Sequence, residues 1–384
     1  MNRPRETTRS SGQFALQPEG FRAFIPQNLP PDPQIQIDGT MQQLLSRADR
    51  SLGRLDGSAE VLPNVDHFVF MYVRKQAVLS SQIEGTQASL DDVLAAEANI
   101  YDPNRPDDTE EILNYIAALN HGLTRLPELP LSLRLIRELH LRLMQGVRGQ
   151  KAEPGEFRSR QNWIGPKGAN LKTATFVPPP PAELPELLAA FERYLHGDDD
   201  LPPLIRLALI HAQFETIHPF LDGNGRIGRL LITFWLCERV LLQKPVLYLS
   251  HYLKRHRATY YDLLTSIRTE GRWEDWIKFF LQGVAEVADE AAQTARKFIA
   301  MREEHRQLLV NMRRGSPGAL ALLESLYQKP VVTVATVAAR IGVSGQSANL
   351  LTERFVELGL LKEITGQKRN RVFRYEPYLD LFTD

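Results

Sequence analysis

The sequence predicts a mainly α-helical protein with one short β-hairpin and, near its C-terminal end, a helix–turn–helix followed by two basic extended runs. Three observations carry this. From residue 40 onward apolar residues recur at helical spacing through most of the 384-residue chain. Between 157 and 177 that period gives way to two short extended runs separated by Gly, Pro and Asn. Beyond the break at Arg313-Arg-Gly-Ser-Pro-Gly318, Gly342-Val343-Ser344 separates two helical stretches as a helix–turn–helix turn does.

A chain of this length with 43% hydrophobic residues buries more than one core, and three units are expected: 1–105, 106–312 and 313–384. The formal net charge of zero gives no global field toward nucleic acid or anionic lipid. The single cysteine, Cys237, excludes a disulfide within one chain. No run of about 18 apolar residues and no secretory leader pattern is present, so a cytoplasmic protein without membrane contact is expected.

Residues 1–39, rich in Pro, Gln and Ser, read as irregular chain anchored by Phe24-Ile25-Pro26. Leu44, Leu45, Ala48, Leu52 and Leu55 then mark a helix. A second is expected over Val65–Ile83, closed by Gly85. Ser89 caps a third running to Ala98, with Asp91 and Asp92 in its first turn. Tyr101-Asp-Pro-Asn-Arg-Pro is a loop, Thr109 begins the next helix, and Ser132–Met144 forms another. The extended runs 157–164 and 172–177 make the hairpin, and Pro178–Pro181 a stiff spacer. Helices follow at Leu184–Leu195 and over 202–217, and Pro219 ends the latter just after His218. Past a brief extended stretch at 245–250, a helix carries Tyr260 and Tyr261. Trp273 to Leu309 reads as one or two long helices leading away from the core, before helices 319–327 and 334–341.

The chemistry concentrates in His218-Pro-Phe-Leu-Asp-Gly-Asn-Gly-Arg-Ile-Gly-Arg229. An apolar run (Leu230, Leu231, Ile232, Phe234, Trp235) follows, so the Gly223-Asn224-Gly225 turn opens a buried helix. Unpaired N–H groups at a helix start, beside residues with no side chain, form a phosphate cradle. Arg226 and Arg229 share one face three residues apart, and arginine forks suit phosphate oxygens. Asp222 is a hard oxygen ligand of the kind Mg²⁺ on a polyphosphate takes. His218 is a candidate base that can be neutral near pH 7.

At these residues the chain resembles the Fic family, whose motif H-x-F-x-D-G-N-G-R-x-x-R is filled at all eight fixed positions. Chance supplies such a match about once in 10¹⁰ starting points. The resemblance implies a Fic-type helical core whose hairpin is a flap, with Asn162, Trp163, Ile164 and Gly165 docking an extended segment of a target protein. It implies transfer of AMP from ATP to a Ser, Thr or Tyr hydroxyl of that target and of the chain itself. His218 would be the base and Asp222 the Mg²⁺ ligand; Gly223, Asn224, Gly225, Arg226, Gly228 and Arg229 would hold the phosphates, with Tyr260 and Tyr261 around the base. Arg226 would face the β-phosphate and Arg229 the γ-phosphate. Ser80, Glu84 and Gly85 resemble the family's inhibitory motif [S/T]-x-x-x-E-[G/N], which implies that Glu84 competes for Arg229.

Other readings stay open at this point. The same cradle suits UMP or another phosphate-linked group, and removal of AMP as well as its addition. A phosphotransferase branch has Lys where this chain has Gly225, which disfavours γ-phosphate transfer. A metal site of His211, His218 and Asp222 is disfavoured because Pro219 breaks their shared face. The last segment resembles a winged helix, so a nucleotide-sensing DNA-binding regulator is an alternative; its basic residues are only Lys368, Arg369, Arg371 and Arg374, which favours a protein-contacting module or a homodimer.

Overall fold

The computed structural model describes residues 10–100, 105–146, 153–197, 199–311 and 317–383. Residues 101–104 of the expected loop, residues 313–316 of the expected break and the unit boundary at 312/313 lie outside the described residues.

Near the N-terminus the chain departs from the irregular run expected there. β1 (Gly12–Leu16) and β2 (Arg22–Pro26) pair antiparallel, from Gly12 opposite Pro26 to Leu16 opposite Arg22. Phe14 faces Phe24 across the pair with ring centroids 5.0 Å apart, the kind of aromatic contact that holds a two-strand ribbon. Five-residue strands are too short to display a period, so only pairing reveals them. Phe24 also donates its N–H to the carbonyl of Val177 at 2.9 Å, which lays the hairpin against the arm that follows the flap.

Helices build the rest. α1 (Gly39–Glu60) starts at Asp38, whose side chain accepts from the Met41 N–H. It lies along α11 (Trp273–Val310), with Lys278 reaching Asp38 and Asp289 reaching Arg54. α11 is one helix of 38 residues and does not leave the core as expected; an alanine stripe (Ala285, Ala288, Ala291, Ala292, Ala295) lets it pack closely and stay buried along its length.

The centre is α7 (Pro203–Ile217) against α8 (Asn224–Glu238). Every residue of α7 from Leu204 to Ile217 is buried, as is α8 from Arg226 to Leu236. Apolar residues on all faces require such burial. Around this pair stand α2 (Val65–Ile83), α3 (Leu90–Glu97), α4 (Thr109–Arg125), α5 (Leu133–Leu143), α6 (Leu184–His196), α9 (Ser250–Arg255) and α10 (Arg257–Glu270).

The flap is less regular than a hairpin. Its arms meet in a single antiparallel bridge, Ile164 with Phe176, through reciprocal bonds of 2.8 and 3.0 Å. Pairing stops there because Arg158 and Asn162 turn inward to serve the core, and Pro166 lacks an N–H for a ladder.

At the C-terminal end α12 (Pro317–Gln328) leads into β3 (Val331–Thr333), α13 (Val334–Ile341), α14 (Gly345–Glu357), β4 (Lys362–Glu363), β5 (Val372–Arg374) and α15 (Glu376–Leu379). The strands order as β3-β5-β4, all antiparallel. Gly342, with φ of 68°, makes the left-handed turn between α13 and α14, and Ser344 caps α14. This unit rests on α2 and α3: the Tyr378 hydroxyl donates to the His67 carbonyl at 2.7 Å, and Arg374 pairs with Asp91 at 2.6 Å. No described helix is long and apolar enough to cross a membrane.

Candidate active site

A cavity of about 500 Å³ opens above the start of α8, walled by α8, α10, the end of α7, the flap arms and Glu84. The loop from α7 to α8 gives it its shape. His218 caps α7 in the left-handed conformation (φ 50°, ψ 60°), its N–H bonded to the Phe214 carbonyl at 2.9 Å. A non-glycine residue there costs free energy and persists only where its surroundings hold it. Gly223 caps α8 at φ 78°, the conformation glycine adopts without penalty.

Three side chains hold this loop, and one of them, His140, stands outside the residues that the sequence singles out. The Asn224 amide closes it onto Phe220, accepting from its N–H and donating to its carbonyl, each at 2.8 Å. Asn162, expected to dock a target, is buried instead and donates to that same Phe220 carbonyl at 2.8 Å. The side chains of Asn224 and Asn162 are therefore structural, and only the backbone N–H of Asn224 is left for a phosphate. His140 completes the brace. Its Nδ1 accepts from the Gly155 N–H at 2.9 Å, so Nε2 carries the proton and donates to the Asp222 carbonyl at 3.0 Å. Its ring stacks on Phe220 at 3.7 Å, and burial pulls its pKa down to about 4. Arg158 donates to the carbonyls of His218 and Pro219.

His218 lines the cavity. Burial, then the Arg268 and Arg158 cations, pull its pKa down to about 3, while the Glu215 carbonyl opposes them. The imidazole is thus neutral across the physiological range. Asp222 is largely exposed and accepts from the Gly223 N–H at 2.6 Å. Among the described residues no group of three His, Cys, Asp or Glu side chains could hold a metal. Asp222 alone fits Mg²⁺ of the sort bound by one carboxylate together with substrate phosphates and water. His211 is unavailable: Nδ1 donates to the Gly228 carbonyl and Nε2 accepts from the Tyr260 hydroxyl, each at 3.0 Å.

Both motif arginines are buried and carry carboxylate partners. Arg226 reaches Glu111 of α4 at 3.2 Å and Asp222 at 3.7 Å. Arg229, 1% exposed, donates to the Ser80 hydroxyl (2.8 Å), the Ser80 carbonyl (3.0 Å) and Glu84 Oε1 (2.7 Å). Burial disfavours its charge, but Glu84 and the hydroxyl and carboxyl groups around it outweigh that and raise its pKa further. Glu84 ends α2, and Gly85 follows at φ 102°, where only glycine sits without strain. The Glu84 carboxylate hangs directly over Gly225, so that a methyl group added there would overlap Oε1.

Glu215 lies in the same relation to Gly228. Its Oε1 is buried without a hydrogen-bond partner among the described residues, and burial pushes its pKa up to about 7. Tyr260, 1% exposed, packs in the core at a tilt to Trp276 and borders the cavity; Tyr261, 37% exposed, presents its ring to the cavity mouth with Arg257 above it. Trp163 is 43% exposed at the flap, its indole N–H bonded to the Ala169 carbonyl.

Family models place this geometry. The Fic/DOC family N-terminal model matches residues 42–124, and the Fic/DOC family model matches residues 130–236, which include the whole loop and both arginines. The chain carries both domains of the Fic/DOC family. Among curated relatives, this Fic chain is 32% identical over 176 residues to the protein adenylyltransferase Fic of Drosophila erecta, covering 45% of this chain and 32% of that one. It is 29% identical over 232 residues to the enzyme of the same name from Drosophila willistoni, covering 58% and 43%. The chain thus spans well under half the length of these curated relatives. Among solved structures it superposes on a Fic family protein from Desulfovibrio desulfuricans with a TM-score of 0.59 at 18% identity, over 89% of this chain and 97% of that one. A Fic domain containing signaling protein from Bacteroides thetaiotaomicron gives 0.51 at 22% identity, over 67% and 96%. These two share the Fic chain's fold.

Proposed function

We propose that this chain is a protein adenylyltransferase, moving AMP from ATP onto a Ser, Thr or Tyr hydroxyl of a target protein and of itself, and held in check by Glu84. One observation carries the reading: a single cavity gathers an open helix N-terminus, two buried arginines and a neutral histidine. The relatives' shared name supports the same activity.

In this reaction the target hydroxyl oxygen attacks the α-phosphorus. Its O–H bond breaks and the proton passes to His218 as the new P–O bond forms. The bond between the α-phosphorus and the bridging oxygen breaks, and pyrophosphate leaves with the electron pair. The N–H groups at the start of α8 and the guanidinium of Arg226 favour the charge that gathers on the phosphates. Asp222 would hold a Mg²⁺ ion that comes with the nucleotide, and such an ion would neutralise part of that charge. Arg229 would take the γ-phosphate, and its present partner is Glu84. The carboxylate therefore occupies the ligand's place on Arg229 and puts negative charge over Gly225. The flap residues Trp163, Ile164 and Gly165 border the cavity where a target strand would pair. A triphosphate substrate suits a cytoplasmic setting.

The strand order and the Gly342 turn support a winged-helix reading of the C-terminal unit. DNA readout is disfavoured, because Arg371 is engaged with Glu353 and Asn349, and Arg374 with Asp91 and Glu376. The test is transfer of label from α-labelled ATP, γ-labelled ATP and α-labelled UTP by the Glu84→Gly chain, with and without His218→Ala. AMP transfer predicts label from α-labelled ATP alone, lost with His218→Ala. Label from the γ position, or label that survives loss of His218, overturns the proposal.

A further inference from the structure

Two buried guanidinium groups with no part in the reaction above converge on the end of α7. Arg158, 2% exposed, lies in the arm leading into the flap; its Nε donates to the His218 carbonyl at 2.9 Å, and Nη2 donates to the carbonyls of Pro179 (2.6 Å) and Ile217 (3.4 Å). Arg268, 9% exposed, lies on α10; its Nε donates to the Thr216 hydroxyl and its Nη2 to the Glu215 carbonyl, each at 3.2 Å. The four consecutive residues 215–218 are therefore each held by one of two arginines. Cations at a helix C-terminus satisfy carbonyls that have no partner within the helix. Here they do so at the residue whose backbone is in the costly left-handed conformation.

Both groups are tied to the flap as well. Arg158 sits four residues before Asn162, and the Arg268 guanidinium lies 3.8 Å above the ring of Phe176, the residue bridged to Ile164. Movement of either flap arm thus reaches the end of α7 through a guanidinium group.

We propose that Arg158 and Arg268 are positioning residues, a two-guanidinium clamp that fixes His218 and links its placement to the flap. The proposal rests on the reading of His218 as the base of AMP transfer. A planar fork holding several oxygens at once is what lysine cannot reproduce, while lysine keeps the charge. The charged and titratable groups facing His218 are Arg158 from the flap arm, Arg268 from α10 and Glu215 from α7, with Asp222 and Arg226 across the cavity. The two arginine charges oppose protonation of the imidazole; the fork geometry sets its position.

The test uses the full chain with Glu84→Gly as parent, and adds Arg158→Lys, Arg158→Gln, Arg268→Lys and Arg268→Gln. AMP transfer gives kcat and the KM for ATP, and ¹⁵N NMR follows His218 from pH 8 to 4. The lysine variants are expected to lose about 10- to 10²-fold in kcat, since small misplacements cost that much, with the KM for ATP within about twofold. Their imidazole stays neutral throughout. The glutamine variants lose kcat likewise, and their imidazole titrates about one pH unit or more closer to neutrality. Unchanged kcat in the lysine variants, or a loss that appears in KM instead, overturns the clamp. Should the glutamine variants fail to fold, the lysine variants decide alone. His218→Ala separates the two readings: if it abolishes transfer while the lysine variants match the parent, only the clamp fails. If it leaves transfer intact, the base assignment fails, and the NMR titration still judges the clamp.

Discussion

Replacing Glu84 by Gly removes the carboxylate that occupies Arg229 without loosening the arginine, which keeps both bonds to Ser80. Arg229 is 1% exposed, so its bond to Glu84 is of the charge-assisted kind, about 1.5–3 kcal/mol where water is excluded. The Glu84 side chain is 38% exposed, and solvent screening places the contribution at the lower end, roughly 1.5–2 kcal/mol. A nucleotide that must displace this carboxylate recovers that amount once it is gone, or roughly 10- to 30-fold in binding to the productive arrangement. Removing the charge over Gly225 also removes a cause of misalignment, so the expected gain in AMP transfer at fixed ATP is about 10- to 10²-fold. The assay is label incorporated from α-labelled ATP into the chain itself. Glu84→Gln, which keeps the shape and loses the charge, should give an intermediate gain. If both variants label at the wild-type rate while His218→Ala abolishes labelling, the carboxylate is not the brake.

Two further outcomes are expected. On acidification the fold should weaken: His140, His211 and His218 have pKa values lowered by burial to about 4, 3 and 3, so the unfolded chain takes up protons below about pH 6.5 that the folded chain refuses. Glu215, raised to about 7, acts oppositely, since its contribution is complete below about pH 4.5 and is lost as pH rises through 7. Three histidines against one glutamate, each at most about 1.4 kcal/mol per pH unit, leave a net loss toward acid; a Tm that stays level or rises between pH 6.5 and 5 would contradict this. Gly228→Ala drives a methyl group into the Glu215 carboxylate and onto Phe214 Cδ1 at 3.3 Å, and should cost about 1–3 kcal/mol in chemical denaturation. Gly57→Ala, with open space around the added group, should not.

What sequence could show, and what it could not, divides along physical lines. The loop residues His218 to Arg229 come together because they are contiguous, and a helix start needs only local chain to be inferred. Glu84 and Arg229 are far apart in sequence, yet their pairing was legible through the resemblance. The hidden parts are those that long-range packing decides. His140, Glu111, Arg158, Glu215 and Arg268 each stand in sequences that read as ordinary helix or flap, and only the fold brings them to the loop. The His211 and Tyr260 hydroxyl contact likewise could not be told from a base-binding aromatic. Asn162 shows the reverse case: the resemblance implies target docking, whereas its side chain is buried and its amide donates to the Phe220 carbonyl. The β1–β2 pair escaped because ten residues of mixed polarity carry too little alternation.

The most direct test is a crystal structure of the Glu84→Gly chain with a non-hydrolysable ATP analogue and Mg²⁺. The account predicts triphosphate oxygens on the N–H groups at the start of α8, the γ-phosphate on Arg229 where the Glu84 carboxylate sits now, and the α-phosphorus facing His218. A nucleotide bound elsewhere, or one whose γ-phosphorus faces His218, would contradict it.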